Sequence, residues 1–175
     1  PAPIPANLAW YAADDNTSIE IDSGSLESGD KISIWWDKSG NDNHATGFGS
    51  PTFVSNALNG LPSIKYSGTD GEYHSFTNIT NIRTVFWVLK KNSGYTSLLG
   101  DDNAYHFHPD GSKFWNTNHT SNNVKNGAFA VNGTTTVGHT ANIPNTWNVL
   151  SLRTTGDVEA SNFFNDRNIA GRYIN

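Results

Sequence analysis

Short runs of β-branched and aromatic residues, each closed by Gly, Asn, Asp or Pro, recur along the whole chain, and this punctuation constrains the fold more than any other feature. No stretch carries the apolar repeat of an amphipathic helix. The runs KISIWW (31–36), PSIKYSG (62–68), IRTVFWVLKK (82–91), TSLLG (96–100), AYHFH (104–108), KFWN (113–116), GAFAVNG (127–133) and WNVLSLRT (147–154) predict strands. Asp110-Gly111 stands between two of them as a hairpin signal. In TVFWVL (84–89) both alternating faces are apolar, which predicts a central strand covered on both sides. The turn-rich segment TNHTSNNVKNG (117–127) reads as a solvated loop. The sum is an all-β chain of many antiparallel strands, expected to form a two-sheet sandwich or jelly roll.

Composition narrows the partners. Of 175 residues, 35% are hydrophobic and 15% charged, so polarity comes mainly from neutral hydrogen-bonding side chains. A net charge of −5 with scattered Lys and Arg, adjacent only at Lys90-Lys91, offers nothing to neutralise a run of phosphates, which argues against nucleic acid. No window approaches the length of a membrane span, so membrane insertion is not expected. The absence of cysteine excludes a disulfide framework. PAPIPAN (1–7) reads as an extended linker entering a single domain over 8–175. A start at Pro1 suggests one module of a longer protein.

The densest polar stretch is IWWDKSGNDNHA (34–45). Asp37, Ser39, Asn41 and Asn43 alternate like the first ligands of a helix-loop-helix calcium loop. However, the glycine comes at Gly40, two places early, and Phe48 stands where the closing glutamate belongs. A structural turn is the better expectation, with Asp37 accepting from the N–H groups of Ser39 and Gly40, and Gly40-Asn41 supplying residues tolerant of positive φ.

The series W-x-D-x-S-G-N-x-N-x-A (Trp35, Asp37, Ser39, Gly40, Asn41, Asn43, Ala45), followed by LNGLPSI (58–64) and SGTD (67–70), resembles the laminin-G-like branch of the concanavalin A-like jelly rolls. The resemblance implies a two-sheet antiparallel jelly-roll sandwich, and a secreted or cell-surface protein, bacterial in origin. In that family these residues mark turns before strands. Such domains continue past a segment like 169–175 with an acidic-apolar-apolar-apolar-Tyr strand. The last strands are therefore expected to be missing here or supplied by another segment.

Retaining glucanases of the same superfamily carry E-x-D-x-x-E or a one-residue variant on one strand, which sets two carboxylates about 5–5.5 Å apart. Glu20-Ile21-Asp22 begins the pattern, but Ser23, Gly24 and Ser25 follow, so the pair is missing. The Gln-Ile-His and Tyr-Phe-Lys strands of the related lyases are absent, as is a Gly-x-Ser-x-Gly elbow. The expectation is a non-catalytic carbohydrate-binding or adhesion module. A spacer or protein-contact domain of an adhesin comes second, and a glycoside hydrolase or polysaccharide lyase third. The expected partners are a glycan or cell-surface ligand and other domains of the parent protein.

A two-residue turn at Asp110-Gly111 would place Tyr105, Phe107 and Phe114 on the core face, with His106, His108, Lys113 and Trp115 on the other. An indole ringed by hydrogen-bonding groups suits a pyranose, so these four are the expected sugar site. His106-x-His108 also has metal-ligand spacing. Ca²⁺ is the cation the family implies, and Asp101-Asp102-Asn103, directly after a strand, is its candidate loop.

Overall fold

The computed structural model describes residues 7–69, 71–91, 97–101 and 105–165. Asp15 caps a turn of 3-10 helix, Asn16–Ser18, through the N–H of Thr17. The elements that follow are β1 (Ile19–Ile21), β2 (Ile32–Trp35), β3 (Ala45–Phe48), β4 (Thr52–Leu58), β5 (Leu61–Lys65), β6 (Tyr73–Lys90), β7 (Leu99–Gly100), α1 (Asn122–Lys125), β8 (Ala128–Val131), β9 (Thr134–Thr136) and β10 (Trp147–Phe163). All strand pairs are antiparallel. An eight-stranded sheet runs β1-β2-β3-β6-β10-β8-β9 with β7 paired to β10, and β4-β5 form a second, two-stranded sheet.

Two strands dominate. β6 and β10 pair from Trp147↔Lys90 to Phe163↔His74, with register shifts after Arg153, Val158 and Ala160 that bend the ribbon. Their inner residues Trp87, Leu89, Leu150 and Leu152 join Phe107, Phe114, Trp115 and Phe129 in the main core. Ile19, Ile32 and Phe53 form a smaller cluster. Two hairpins turn on Asn-Gly pairs, Asn59-Gly60 (φ 52° and 80°) and Asn132-Gly133 (φ 51° and 79°), where positive φ at both residues matches strand twist.

The 34–45 stretch is a turn, and it anchors the N-terminal segment. Asp37 Oδ1 accepts from the N–H groups of Trp10 (2.8 Å) and Ser39 (2.9 Å), and Oδ2 from Ser39 Oγ (2.7 Å) and Asn43 N–H (3.1 Å). Burial acts to raise the Asp37 pKa, but these donors outweigh it and hold the carboxyl below its ordinary value. Gly40 adopts φ 88° as expected, whereas the second positive φ falls at Asp42 (57°) and not at Asn41. Asn41 and Asn43 instead donate to the backbone carbonyl of Leu8.

Two strand expectations are corrected. Residues 105–108 and 113–116 are not strands. The turn centres on Gly111-Ser112, with Lys113 N–H donating to Asp110 O at 2.9 Å and Asn116 N–H to His108 O at 2.9 Å. Phe114 and Trp115 are consecutive and both fully buried, so they are not divided between a core face and a solvent face. The TVFWVL run forms the C-terminal third of β6, but it is covered on one face only. Phe86 is 71% and Val88 67% exposed, because no described element packs over that side.

Candidate ligand-binding face

The uncovered side of the large sheet is built from cross-strand rows. One row is Phe86, Ser151, Ala130 and Thr135 across β6, β10, β8 and β9, and the next is Thr84, Arg153 and Ala128. Directly paired residues share a face, so these side chains stand together on the outer surface. Val88 and Val149 form a third, apolar row beside Phe86. The Asn132 carboxamide closes the sheet beyond it by accepting from Val149 N–H at 2.9 Å.

Side-chain size shapes this face. Ala128, Ala130 and Ser151 are short, while Phe86, Arg153 and Thr135 rise around them, leaving a shallow depression of about 310 Å³. The phenyl ring offers a flat apolar surface, the hydroxyls of Thr84, Ser151 and Thr135 both donate and accept, and the guanidinium donates. Because the depression rests on paired strands, its geometry is set by the backbone ladder.

The residues expected to bind sugar are distributed differently. Trp115 is 0% exposed, and its ring packs against Phe107, Phe114 and Phe129 at centroid distances of 6.1, 6.2 and 5.5 Å. Its backbone N–H donates to Gly138 O at 3.1 Å, which holds this segment beside Gly138, with the indole close over that residue. It is a core residue and not a platform. His108 is also buried, with its ring against those of Tyr105 (5.2 Å) and His119 (5.5 Å), and its carbonyl accepts from Thr120 Oγ1. Lys113 is half-buried and bridges to Asp110 and Asn142 through backbone. The four side chains therefore do not share one face.

His106 meets different partners. Its Nε2 lies 3.5 Å from Glu159 Oε1 on β10, and Asp101, directly after β7, completes a cluster whose ligand atoms all lie within 4.8 Å of one another. The other two members of the expected calcium loop, Asp102 and Asn103, fall outside the described residues. Glu159 escaped sequence reasoning because it is fifty-three positions from His106, and only the β10 pairing brings it there. The apolar residues on both faces of its strand point Phe86 toward a core, and nothing local in the sequence marks its ring as exposed. Glu20 and Asp22 are both exposed at the β1 end of the large sheet.

No family model, no curated protein and no solved structure matches the chain. No helix among the described residues is long and apolar enough to cross a membrane.

Proposed function

We propose that this chain is a non-catalytic recognition module of the concanavalin A-like jelly-roll type, carried by an exported protein, which binds a glycan or another cell-surface ligand on the outer face of β6-β10-β8-β9. The observation that carries the reading is Phe86, an aromatic ring 71% exposed at the edge of a depression floored by Ala128, Ala130 and Ser151. A pyranose stacks its C–H face on such a ring while hydroxyl and guanidinium groups meet its hydroxyls. The shallowness of the depression suits a chain of sugars laid across strands better than a small molecule enclosed in a pocket.

The adjacent apolar row of Val88 and Val149 favours a second reading, a protein-contact or spacer domain of an adhesin, since contiguous exposed apolar residues mark interaction surfaces. A glycan array separates the two. Binding by the parent that disappears in Ala130→Trp, which fills the depression without touching the core, supports the glycan reading. A blank array for a folded parent rejects it in favour of protein contact.

A further inference from the structure

A second cluster lies apart from the depression. Asp101, 2% exposed, and His106, both from the segment after β7, meet Glu159 on β10, bringing two carboxylates and an imidazole together from two separate parts of the chain. Two carboxylates this close repel one another, and a divalent cation held between them and the imidazole relieves that repulsion while using all three as ligands.

The spacing supports such an ion. His106 Nε2 and Glu159 Oε1 are 3.5 Å apart, longer than a well-formed hydrogen bond, which runs to about 3.2 Å for N–H···O. A tetrahedral ion with ligand distances of about 2.1 Å holds its donors roughly 3.4 Å from one another. The His–Glu pair already has that separation, and since all three ligand atoms lie within 4.8 Å of one another, a side-chain adjustment of about an ångström brings the rest to it.

Glu159 is oriented from behind. Asn78 Nδ2 donates to its Oε2 at 3.0 Å, which leaves Oε1 turned toward the imidazole, as outer hydrogen bonds commonly fix metal-binding carboxylates. Glu159 also sits between two core residues of β10, Val158 and Ala160, so its backbone is fixed by packing. The side chains of His106 and Glu159 keep 22% and 29% of their surface exposed, so an ion there has a solvent side and an open coordination position.

We propose that Asp101, His106 and Glu159 form a binding site for a divalent ion of the zinc class. The donor set selects among cations: an imidazole with few ligands suits zinc and its borderline neighbours, whereas calcium takes six to eight oxygens. The fourth position belongs to water or to an oxygen of a bound ligand. This site is independent of the Phe86 face and stands or falls separately from the glycan reading.

The test is isothermal titration of the metal-stripped chain with zinc chloride, and in parallel with calcium chloride. The expected result is one zinc per chain with micromolar or tighter affinity, at least tenfold weaker in His106→Ala and in the near-isosteric Glu159→Gln. The His119→Ala variant, which removes an exposed histidine elsewhere, should bind as the parent does. Circular dichroism checks that each variant is folded; should His106→Ala unfold, Glu159→Gln carries the comparison alone. Unchanged zinc binding in Glu159→Gln, loss of binding in His119→Ala, no zinc uptake by the folded parent, or a preference for calcium each overturns the assignment.

Discussion

Replacing Trp115 separates a core indole from a ligand platform. The ring is wholly buried among Phe107, Phe114 and Phe129. A tryptophan of this kind hides about 150–250 Å². At about 25 cal/mol per Å² that is roughly 4–6 kcal/mol for the whole side chain, an upper estimate. Truncation to alanine keeps Cβ but leaves a cavity, so a loss of about 3–5 kcal/mol is expected for Trp115→Ala. In a domain of this size each kcal/mol moves the melting temperature by about 2–4 °C, giving a fall of roughly 6–20 °C. Trp115→Phe should cost less, since the buried indole Nε1 has no hydrogen-bond partner among the described residues and its removal relieves an unmet donor. Gly138→Ala presses on the same ring from the other side, where a Cβ would lie 2.1 Å from Trp115 Cδ1, and should cost about 1–3 kcal/mol. Thermal and urea unfolding followed by circular dichroism measure all three. A Trp115→Ala chain that melts like the parent and loses glycan binding would refute this placement of the ring.

Other residues make separate predictions. Asp37→Ala removes the acceptor for the N–H groups of Trp10, Ser39 and Asn43 and should destabilise by about 1–3 kcal/mol in urea unfolding, with glycan and zinc binding unchanged. His74 is buried, with Nδ1 2.7 Å from Tyr66 Oη, and burial lowers its pKa from 6.5 to about 3. The unfolded chain therefore takes up a proton that the folded chain refuses between those values. Stability should fall as pH drops from about 6 to 4, by at most about 1.4 kcal/mol per unit, and His74→Gln should flatten that slope. Asp37 acts in a lower window, because its depressed pKa gives stability above the ordinary carboxylate value that is lost only as pH falls below it. Glu20→Gln and Asp22→Asn should leave melting and binding unchanged, and neither they nor the parent should release reducing ends or unsaturated products from polysaccharides. Product released by the parent and abolished in either variant would contradict the non-catalytic reading.

What the sequence showed of this fold follows from the range of the forces involved. β2, β5, β8 and halves of β6 and β10 were legible because β-branched runs ended at turn residues, and the turn at Asp37 was legible through its local bond from Ser39 N–H, whereas Asn43 donates where Gly40 was expected and the bond from Trp10 spans 27 positions. The outer halves of the long strands, residues 73–82 and 156–163, are polar and interrupted, and they become strands through each other's ladder. Alternation misled at two places. Phe86 and Val88 are apolar yet exposed, since nothing in a strand's own sequence says whether a second layer covers it. Trp115 was sent outward by an assumed hairpin register, whereas Phe107, Phe129 and Gly138 hold it inward by contacts distant in sequence. The approach of Glu159 to His106 is likewise a product of topology.

The measurement that tests the proposed face most directly is calorimetric titration of an array-selected oligosaccharide into the parent and into Phe86→Ala. The ring is 71% exposed and outside the core, so its removal should leave stability within about 0.5 kcal/mol. Loss of a stacking partner should weaken binding by about 1–3 kcal/mol, a rise in Kd of roughly five- to more than a hundredfold. Equal affinity in the two chains would show that sugar binds elsewhere and would contradict the assignment of the β6-β10-β8-β9 surface.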